Sequence, residues 1–295
     1  HIYGIDFRDM KRVETFCNHL LATQDRLDVL INNACQTIRR PAAYYHPLLK
    51  HEANTIDAIE DDISTDASHS STTTPGLRTV LANNFALLGE AQSLQRRLLE
   101  EGSPLPNGKT SEVTNTGTTV PTSAAQSQMV LLPEDALSAE ELPLPEDAVD
   151  ANGQQLDLRK RNTWIMKMEE IQTPELAEVF AINAIAPFVL NSRLAPLMRR
   201  SGDIGGDGSF CARFIVNVSA MEGKFYRVKS AYHPHTNMAK AALNMMTRTS
   251  AEDLAKPGSH IYMTAVDTGW INDENPVEKA AKYAENYNFQ TPLDE

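Results

Sequence analysis

Apolar residues near the start of the chain fall into two short runs separated by a helical pattern. Residues 2–7 and 27–31 are apolar runs of strand length, and residues 11–23 between them repeat apolar positions at helical spacing. A strand, a helix and a second strand at this spacing form a βαβ unit, in which the two strands run parallel. The pattern therefore predicts a parallel sheet that includes the first part of the chain.

The same change between apolar runs and helical periodicity returns in the last third of the chain. Residues 174–197 have helical spacing, with Thr173 expected as the N-cap and Pro174 at the first helical position. Two further strands flank another helix, in the order 214–218, 236–254 and 261–266. Both ends of the chain therefore carry α/β patterns.

The middle of the chain is polar and acidic. Residues 61–75 are rich in Ser, Thr and Asp, and residues 102–157 contain Leu-Pro-Glu-Asp-Ala at 132–136 and again at 144–148. Such a stretch buries too little apolar surface to offset the entropy of ordering it, so we predict that 102–157 is mostly disordered. The repeat is interpreted either as a docking motif for a protein partner or as a solvated linker, and composition favours the linker.

These patterns divide the chain into three regions. We place the first part of one α/β domain at residues 1–60 and its remaining part at residues 161–295. Residues 61–160 are predicted to form an acidic insertion with one helix near 77–100. The two outer regions are expected to fold together, because each contains strands of a single sheet.

Composition narrows the classes of function. A net charge of −12 over 295 residues disfavours nucleic acid and anionic membrane surfaces as partners, since both require basic surface. Cys17, Cys35 and Cys211 are far apart and lack metal-ligand spacing, so we predict no metal site and a reducing, cytoplasmic setting. No apolar run approaches the length of a membrane span.

Four short segments carry chemistry-bearing residues in a recognisable order. Asp6 follows the first apolar run, and Asn-Asn-Ala-Cys at 32–35 follows the second. Asn183 lies in Asn-Ala-Ile-Ala-Pro-Phe, and Lys240 lies in Asn-Met-Ala-Lys-Ala-Ala-Leu-Asn. A looser fifth segment is Val-Asp-Thr-Gly at 266–269. In this order the segments resemble the short-chain dehydrogenase/reductase family, over about residues 2–35 and 164–273.

The resemblance implies a Rossmann-type fold, a doubly wound parallel sheet that binds NAD or NADP. The cofactor-binding residues that it implies are Asp6, Asn32, Asn33, Ala34, Lys240, Thr268 and Gly269. The family's glycine-rich turn, Thr-Gly-x-x-x-Gly-x-Gly, is not present in the chain. Because those glycines let backbone N–H groups approach the pyrophosphate, we expect a segment that supplies them to precede His1.

The catalytic pattern of the family is incomplete. Thr236 stands at the position of the family's Tyr, and Ala220 at that of its Ser. A phenol has a pKa of about 10, and an aliphatic hydroxyl ionises several units higher, so Thr236 is a poor acid and is interpreted as the N-cap of its helix. The candidate catalytic residues are Lys240, Asn183, His235 and Thr236.

Two substitutions leave alternatives open. His235 has a suitable pKa to replace the missing acid, although packing in a loop is the favoured interpretation. Cys35 replaces a Gly of the family motif and is interpreted as a small buried hydrophobe rather than a redox residue.

Two functions follow from the resemblance. The first is an atypical NAD(P)-dependent oxidoreductase that acts on a small carbonyl or alcohol substrate with a non-standard proton donor. The second is a catalytically inactive, nucleotide-binding or scaffold protein whose acidic insertion binds partners. The resemblance also implies a homodimer or tetramer.

Overall fold

The structure is a computed structural model that describes residues 3–50, 126–142, 144–145, 148–149, 155–200, 211–269 and 274–287. The chain divides into two compact units. The first consists of residues 1–6, 41–141 and 146–155, and the second of residues 7–40, 142–145 and 156–295. The predicted helix at 77–99 and the Ser/Thr-rich stretch at 61–75 lie outside the described residues. The predicted domain boundaries therefore stay predictions.

A three-stranded parallel sheet organises the second unit. Its strands are β1 (Val29–Asn32), β2 (Arg213–Ser219) and β3 (Ile261–Asp267), and they lie in the order β1-β2-β3. The register places Val29 opposite Phe214 and Arg213 opposite Ile261. The predicted α/β fold with a parallel sheet is confirmed.

Five α-helices have both ends within the described residues. They are α1 (Met10–Thr23), α2 (Thr173–Phe180), α3 (Ala186–Arg200), α4 (Pro234–Leu254) and α5 (Val277–Tyr287). A π-helical turn, Ala181–Ile185, joins α2 to α3. Short 3₁₀ turns lie at Ala42–Tyr45, Pro133–Ala136, Thr163–Ile165, Met168–Glu170 and Met221–Gly223.

The core of the second unit lies between α3 and one face of the sheet. Met198 of α3 packs with Ile215 and Ile261, and all three side chains are fully buried. The chain crosses from β1 to β2 and then from β2 to β3, so both crossovers move across the sheet in the same direction. Right-handed crossovers that move in one direction place their helices on the same face of the sheet. The opposite face of the described sheet exposes apolar side chains, among them Ile31 and Phe214.

Residues 3–7, the described part of the first predicted strand, do not form a strand. Residues 3–9 form a coil and a turn before α1, which begins after Asp9 as N-cap. A strand is stable only when a neighbouring strand satisfies its backbone groups, and among the described residues β1 pairs with β2 alone. The apolar run therefore has the composition of a strand, but its described residues 3–7 do not join the sheet.

The long predicted helix differs from the expectation in two ways. Its N-cap is Gln172 rather than Thr173, and no side chain caps it, because Thr173 already has helical geometry. The helix is also interrupted by the π turn at Asn183, which inserts one residue into the regular hydrogen-bond ladder.

The stretch Thr173–Arg200 corrects the expectation about membrane-length runs. It spans 28 residues, and its most apolar window has a mean hydropathy of 1.3, so by length and composition it could cross a membrane. The polar residues Asn183 and Asn191 interrupt this apolar run in the sequence. The mean hydropathy of the window is nevertheless high, because the apolar residues around them outnumber them. Leu194 and Met198 of this stretch are buried in the core described above, as in the core helix of a globular unit.

Part of the predicted disordered region has local structure. Pro133–Ala136, the centre of the first Leu-Pro-Glu-Asp-Ala copy, forms a 3₁₀ turn. The buried Asp135 carboxylate accepts hydrogen bonds from the N–H groups of Leu131 and Leu132, at 2.9 and 2.8 Å. The prediction of disorder is therefore wrong for this segment, because one carboxylate satisfies the backbone that composition alone would leave solvated. Residues 102–125 and 146–147 lie outside the described residues.

Candidate functional site

The loops that follow β1, β2 and β3 meet at one edge of the sheet, here called the carboxyl edge. It consists of residues 32–36 after β1, 219–223 after β2 and 267–269 after β3. In open parallel sheets, ligands bind outside the carboxyl ends of the strands. Most residues predicted to act in catalysis or cofactor binding lie at or beneath this edge.

Lys240 lies beneath the carboxyl edge and is only 4% exposed. Its Nζ donates a hydrogen bond to the carbonyl oxygen of Val218 at 3.0 Å. Burial lowers the pKa of Lys240, while the nearby Cys35, Glu222 and Glu274 oppose this by favouring the protonated form. The ammonium group therefore stands among three groups from different segments of the second unit.

Gly223 brings the loop after β2 against the backbone of α4. A Cβ atom at this position would lie 2.6 Å from the carbonyl oxygen of Lys240 and 2.4 Å from Nδ2 of Asn244. Side chains do not approach so closely, so only glycine fits. Gly223 is not among the residues predicted from the sequence, and the Ser-Ala-Met-Glu-Gly segment after β2 is the signal that could have identified it.

Asn183 holds the loop after β1 in place. In the π turn its Nδ2 donates to the carbonyl oxygens of Gln36 (2.7 Å) and Val179 (2.8 Å), and its Oδ1 accepts from the Gln36 N–H (3.2 Å). The side chain is 1% exposed. Both amide atoms are thus used in positioning Gln36, whose neighbour Cys35 stands next to Lys240.

Thr236 is not the N-cap of α4. The helix begins at Pro234, and its N-cap is His233, which has left-handed backbone geometry (φ 41°). Proline favours the first helical position because its missing N–H would be unpaired there, and this fixes the helix start two residues before Thr236. The buried Thr236 hydroxyl instead donates to the carbonyl oxygen of Thr37 at 3.2 Å.

His235 is buried away from solvent beside α2. It is 2% exposed, and its Nε2 lies 3.8 Å from Oε1 of Glu175. Neither ring nitrogen has a hydrogen-bond partner among the described residues. Glu175 accepts hydrogen bonds from the Arg39 N–H and from the Thr163 hydroxyl. The imidazole is therefore buried against the Glu175 carboxylate of α2.

His233 forms a pair with Trp164 at the start of α4. The two rings are stacked, with centroids 3.9 Å apart and planes inclined by 5°, and His233 Nδ1 lies 2.7 Å from the Trp164 carbonyl oxygen. Burial lowers the pKa of His233, and the hydrogen bond to Trp164 opposes this only in part. The pair attaches the segment at 164 to the helix that carries Lys240.

Asn32 belongs to a buried network of amides. Its Nδ2 donates to Oδ1 of Asn191 and to Oδ1 of Asn217, both at 2.8 Å. Asn217 in turn donates to the hydroxyl of Thr247 at 2.9 Å. The network joins β1, β2, α3 and α4. Asn191 and Asn217 are not among the residues predicted from the sequence, although an Asn inside the apolar strand β2 is a visible signal.

The other predicted cofactor-binding residues divide into two groups. Asn33, Ala34, Thr268 and Gly269 are exposed at the carboxyl edge. Asp6 is half-buried in the coil before α1 and belongs to the first unit. The expectation that Cys35 is buried is wrong, because its side chain is exposed at the end of the β1 loop. In a loop at the end of a strand, a Cys side chain that stands in place of Gly can remain exposed to solvent.

Gly269 has the geometry of a tight turn after β3. Its φ is 83°, and its N–H donates to Oδ1 of Asp267 at 3.1 Å. Burial alone would raise the pKa of Asp267, but hydrogen bonds from Lys224 and from the Gly269 N–H outweigh it and lower that pKa. Among the residues that the structure describes, no atom other than those of its chain neighbours lies within 4 Å of the position of a Cβ at 269.

Within the described ranges, no group of three or more His, Cys, Asp or Glu side chains is arranged to hold a metal ion.

Comparisons with known proteins give partial matches. No family model matches the chain. An uncharacterized protein of Acanthamoeba polyphaga mimivirus is 32% identical over 149 residues, which are 48% of this chain and 29% of the viral protein.

Several solved structures are similar to the chain. A short-chain dehydrogenase from Streptomyces avermitilis matches with a TM-score of 0.43 and 15% identity, over 99% of this chain and 61% of that chain. A second structure is an oxidoreductase of the short-chain dehydrogenase/reductase family from Brucella ovis, in complex with partially ordered NAD. It matches with a TM-score of 0.30 and 26% identity, over 42% of this chain and 49% of that chain. An NADPH-bound carbonyl reductase from chicken fatty liver matches with a TM-score of 0.30 and 24% identity, over 39% of this chain and 43% of that chain.

The chain spans less than two thirds of the length of each of these proteins. The solved structures that it resembles are short-chain dehydrogenases and reductases.

Proposed function

We propose that the second unit binds NAD or NADP at the carboxyl edge and has the architecture of a short-chain oxidoreductase without its usual proton donor. The observation that carries this proposal is Lys240, a buried ammonium beneath the edge with one of its three protons used by Val218. A lysine ammonium has three donors, so two remain for the hydroxyl groups of a nicotinamide ribose.

The exposed loops at the carboxyl edge suit a dinucleotide. Asn33 and Ala34 lie on one side, and Thr268 and Gly269 on the other, with their surfaces exposed. None of the described residues beyond its chain neighbours comes within 4 Å of a Cβ position at Gly269. Bound here, the cofactor would supply or accept a hydride, and the chain's own residues would hold its ribose and orient its ring.

The missing acid limits what such a site does. Thr236 donates to a backbone carbonyl and is 1% exposed, and His235 is 2% exposed against Glu175. Neither side chain is available to a substrate oxygen. General acid–base catalysis contributes about 10²–10⁴-fold, so any hydride transfer here should be slower than in a complete enzyme by roughly that factor. Cofactor binding without efficient turnover is the function that this geometry supports best.

The test measures cofactor binding to the chain and to two lysine variants by titration calorimetry. Lys240→Met keeps the volume and packing but removes the donor, and we expect at least a tenfold loss of NADH or NADPH affinity. Lys256→Met is the matched control, because Lys256 is exposed and pairs with Asp253 outside the carboxyl edge. Equal affinity in the Lys240 variant, or no binding of either cofactor by the wild-type chain, would contradict the proposal.

Slow oxidoreductase activity is the second candidate function. Both Lys240 and Asn183 are retained and buried at the site, and water can act as a weak proton donor to a small carbonyl substrate. Single-turnover oxidation of NADPH with a panel of aldehydes and ketones distinguishes the two candidates. Oxidation that is lost in Lys240→Met supports the enzyme, whereas tight binding without oxidation supports a binding domain.

Self-association through α3 and α4 is a further part of the proposal. Phe188 on α3 is 59% exposed, and Met238 and Met245 on α4 are 54% and 52% exposed. Exposed apolar side chains on two neighbouring helices mark an interaction surface, and a second copy of this chain would cover it.

The three cysteines in the described residues are free, so we infer a reducing, cytoplasmic setting. A protein partner for the acidic insertion stays a prediction.

A further inference from the structure

Helix α2 holds the loop after β1 through two buried carboxylates. Glu175 and Glu178 are three residues apart, so they lie on the same face of the helix. Neither is among the residues predicted from the sequence. The Glu175 carboxylate accepts the Arg39 N–H at 3.0 Å, which fixes the backbone of the loop at its far end.

Glu178 makes three contacts with donors from the first part of the second unit. One carboxylate oxygen accepts from Nη1 of Arg8 at 2.7 Å. The other oxygen accepts from Nε of Arg39 at 3.1 Å and from Nε2 of Gln36 at 3.3 Å. The side chains of Arg39 and Glu178 are 6% and 7% exposed, so salt and solvent screen this ion pair little. Glu178 therefore joins both ends of residues 36–39 to α2.

The π turn brings a second group of the same helical stretch to this loop. Glu178 binds the side chain of Gln36, and Asn183, five residues later, binds its backbone N–H and carbonyl. At 3.6 residues per turn, positions five apart point in clearly different directions, whereas the wider π turn at Ala181–Ile185 brings them closer to one face. The interruption of the helix therefore places two anchors on one loop residue.

The anchored loop carries groups that are proposed to contact the cofactor. Asn33 and Ala34 precede Gln36 and are exposed at the carboxyl edge. Cys35, directly before Gln36, lies near enough to Lys240 to favour its protonated form. A displacement of Gln36 therefore moves this side of the site relative to the Lys240 ammonium.

We propose that Glu178 is a positioning residue, which holds the loop after β1 in the conformation that binds NAD or NADP. It acts through Gln36 and Arg39 and does not itself contact the cofactor, so this inference rests on the proposed function. The apparent affinity of a ligand falls in proportion to the fraction of molecules that are in the binding conformation. Loss of the Glu178 contacts should lower that fraction.

The first measurement is the NADPH affinity of the whole chain by titration calorimetry. Glu178→Gln keeps the size of the side chain but replaces an accepting oxygen by an amide that donates, and we expect about a tenfold loss of affinity. Gln36→Met removes the contact of the loop side chain without leaving a buried charge, and it should lower the affinity in the same direction. The double variant should lose less than the sum of the two, because both changes act on one contact.

Asp135→Asn is the matched control. It also replaces a buried carboxylate by an amide and changes the net charge equally, but Asp135 belongs to the first unit and accepts backbone N–H groups there. Urea denaturation should show a loss of stability in both Asp135→Asn and Glu178→Gln. The control should nevertheless bind NADPH like the wild-type chain, which separates positioning from stability.

Hydrogen exchange reports the position of the loop without any cofactor. The N–H groups of Gln36 and Arg39 donate to Asn183 and Glu175, and neither acceptor is changed in Glu178→Gln. If Glu178 holds the loop, both amides should exchange about tenfold faster in that variant than in the wild-type chain.

Three outcomes would overturn the inference. The first is wild-type NADPH affinity in Glu178→Gln, and the second is unchanged exchange at both amides. The third is an equal loss of affinity in Glu178→Gln and Asp135→Asn, which would reduce the effect to stability or net charge. A wild-type chain that binds neither NADH nor NADPH would overturn the proposed function, and with it the role of Glu178, and is distinct from these three because in them the wild-type chain binds.

Discussion

Gly223 is the residue at which the loop after β2 touches the backbone of α4. We expect Gly223→Ala to lower the free energy of unfolding by about 1–3 kcal/mol, because the added methyl group must displace the α4 backbone at Lys240. The same displacement should weaken NADPH binding. Urea denaturation and cofactor titration measure the two effects.

Gly258→Ala provides the comparison for this substitution. Gly258 has a φ of 90° and no atom within 4 Å of a Cβ position, so alanine there meets backbone strain without a clash. It should lower stability by about 1–2 kcal/mol and leave NADPH affinity unchanged. If Gly223→Ala also leaves the affinity unchanged, the loop after β2 does not position Lys240.

Single residues show both the reach and the limits of the sequence. The positions of Lys240 and Asn183 follow from short motifs, and both lie buried at the same edge of the sheet. The side chain of Asn32 could not be oriented in this way, because its partners Asn191 and Asn217 are 159 and 185 positions away. Burial of Thr236 likewise depends on a distant loop, at Thr37.

The start of α4 depends on a residue in an unusual conformation and on one stacked ring. His233 is the N-cap with left-handed geometry, and its imidazole lies 3.9 Å from the Trp164 ring. Protonation of a stacked imidazole quenches indole emission, so Trp164 reports the state of His233.

The pH dependence of this element follows from the lowered pKa of His233. Its unfolded-state pKa is near 6.5 and its folded-state pKa lies lower, because burial disfavours the imidazolium. Between these two pKa values the unfolded state binds more protons than the folded state does. The contribution of His233 to the free energy of unfolding is therefore fully present above pH 6.5 and decreases as the pH falls below 6.5. In a Trp270→Phe background, the Trp164 emission should titrate with a midpoint below 6.5. A midpoint at or above 6.5, or the same titration in His233→Gln, would refute this.

Element types were easier to predict than their ends. Helices α1 and α4 and the three strands of the sheet were expected within two or three residues of their observed positions. The prediction of a strand at 2–7 was wrong for the described residues 3–7, because local apolarity does not reveal whether a segment joins the sheet. The π turn at Ala181–Ile185 has no pattern of its own in the sequence, since it is a local slip in hydrogen bonding.

At the scale of the whole molecule, the exposed side chains of α3 and α4 predict a dimer. We expect Phe188→Glu with Met245→Glu to convert it to a monomer, because two carboxylates would be buried without partners at the interface. Light scattering after size exclusion gives the mass of each form. Phe225→Glu is the control, since Phe225 is 86% exposed in a loop outside these helices. A wild-type monomer, or a dimer that persists in the double variant, would contradict the prediction.

Strands β1 and β2 are neighbours in the sheet, although paired residues such as Asn32 and Asn217 lie 185 positions apart. A ribosome adds about 5–20 residues per second, so β1 emerges on the order of 10–40 s before the strand that pairs with it. During that interval β2, which pairs with β1 in the described sheet, is not yet part of the nascent chain. We therefore expect this protein to depend on chaperones during its synthesis.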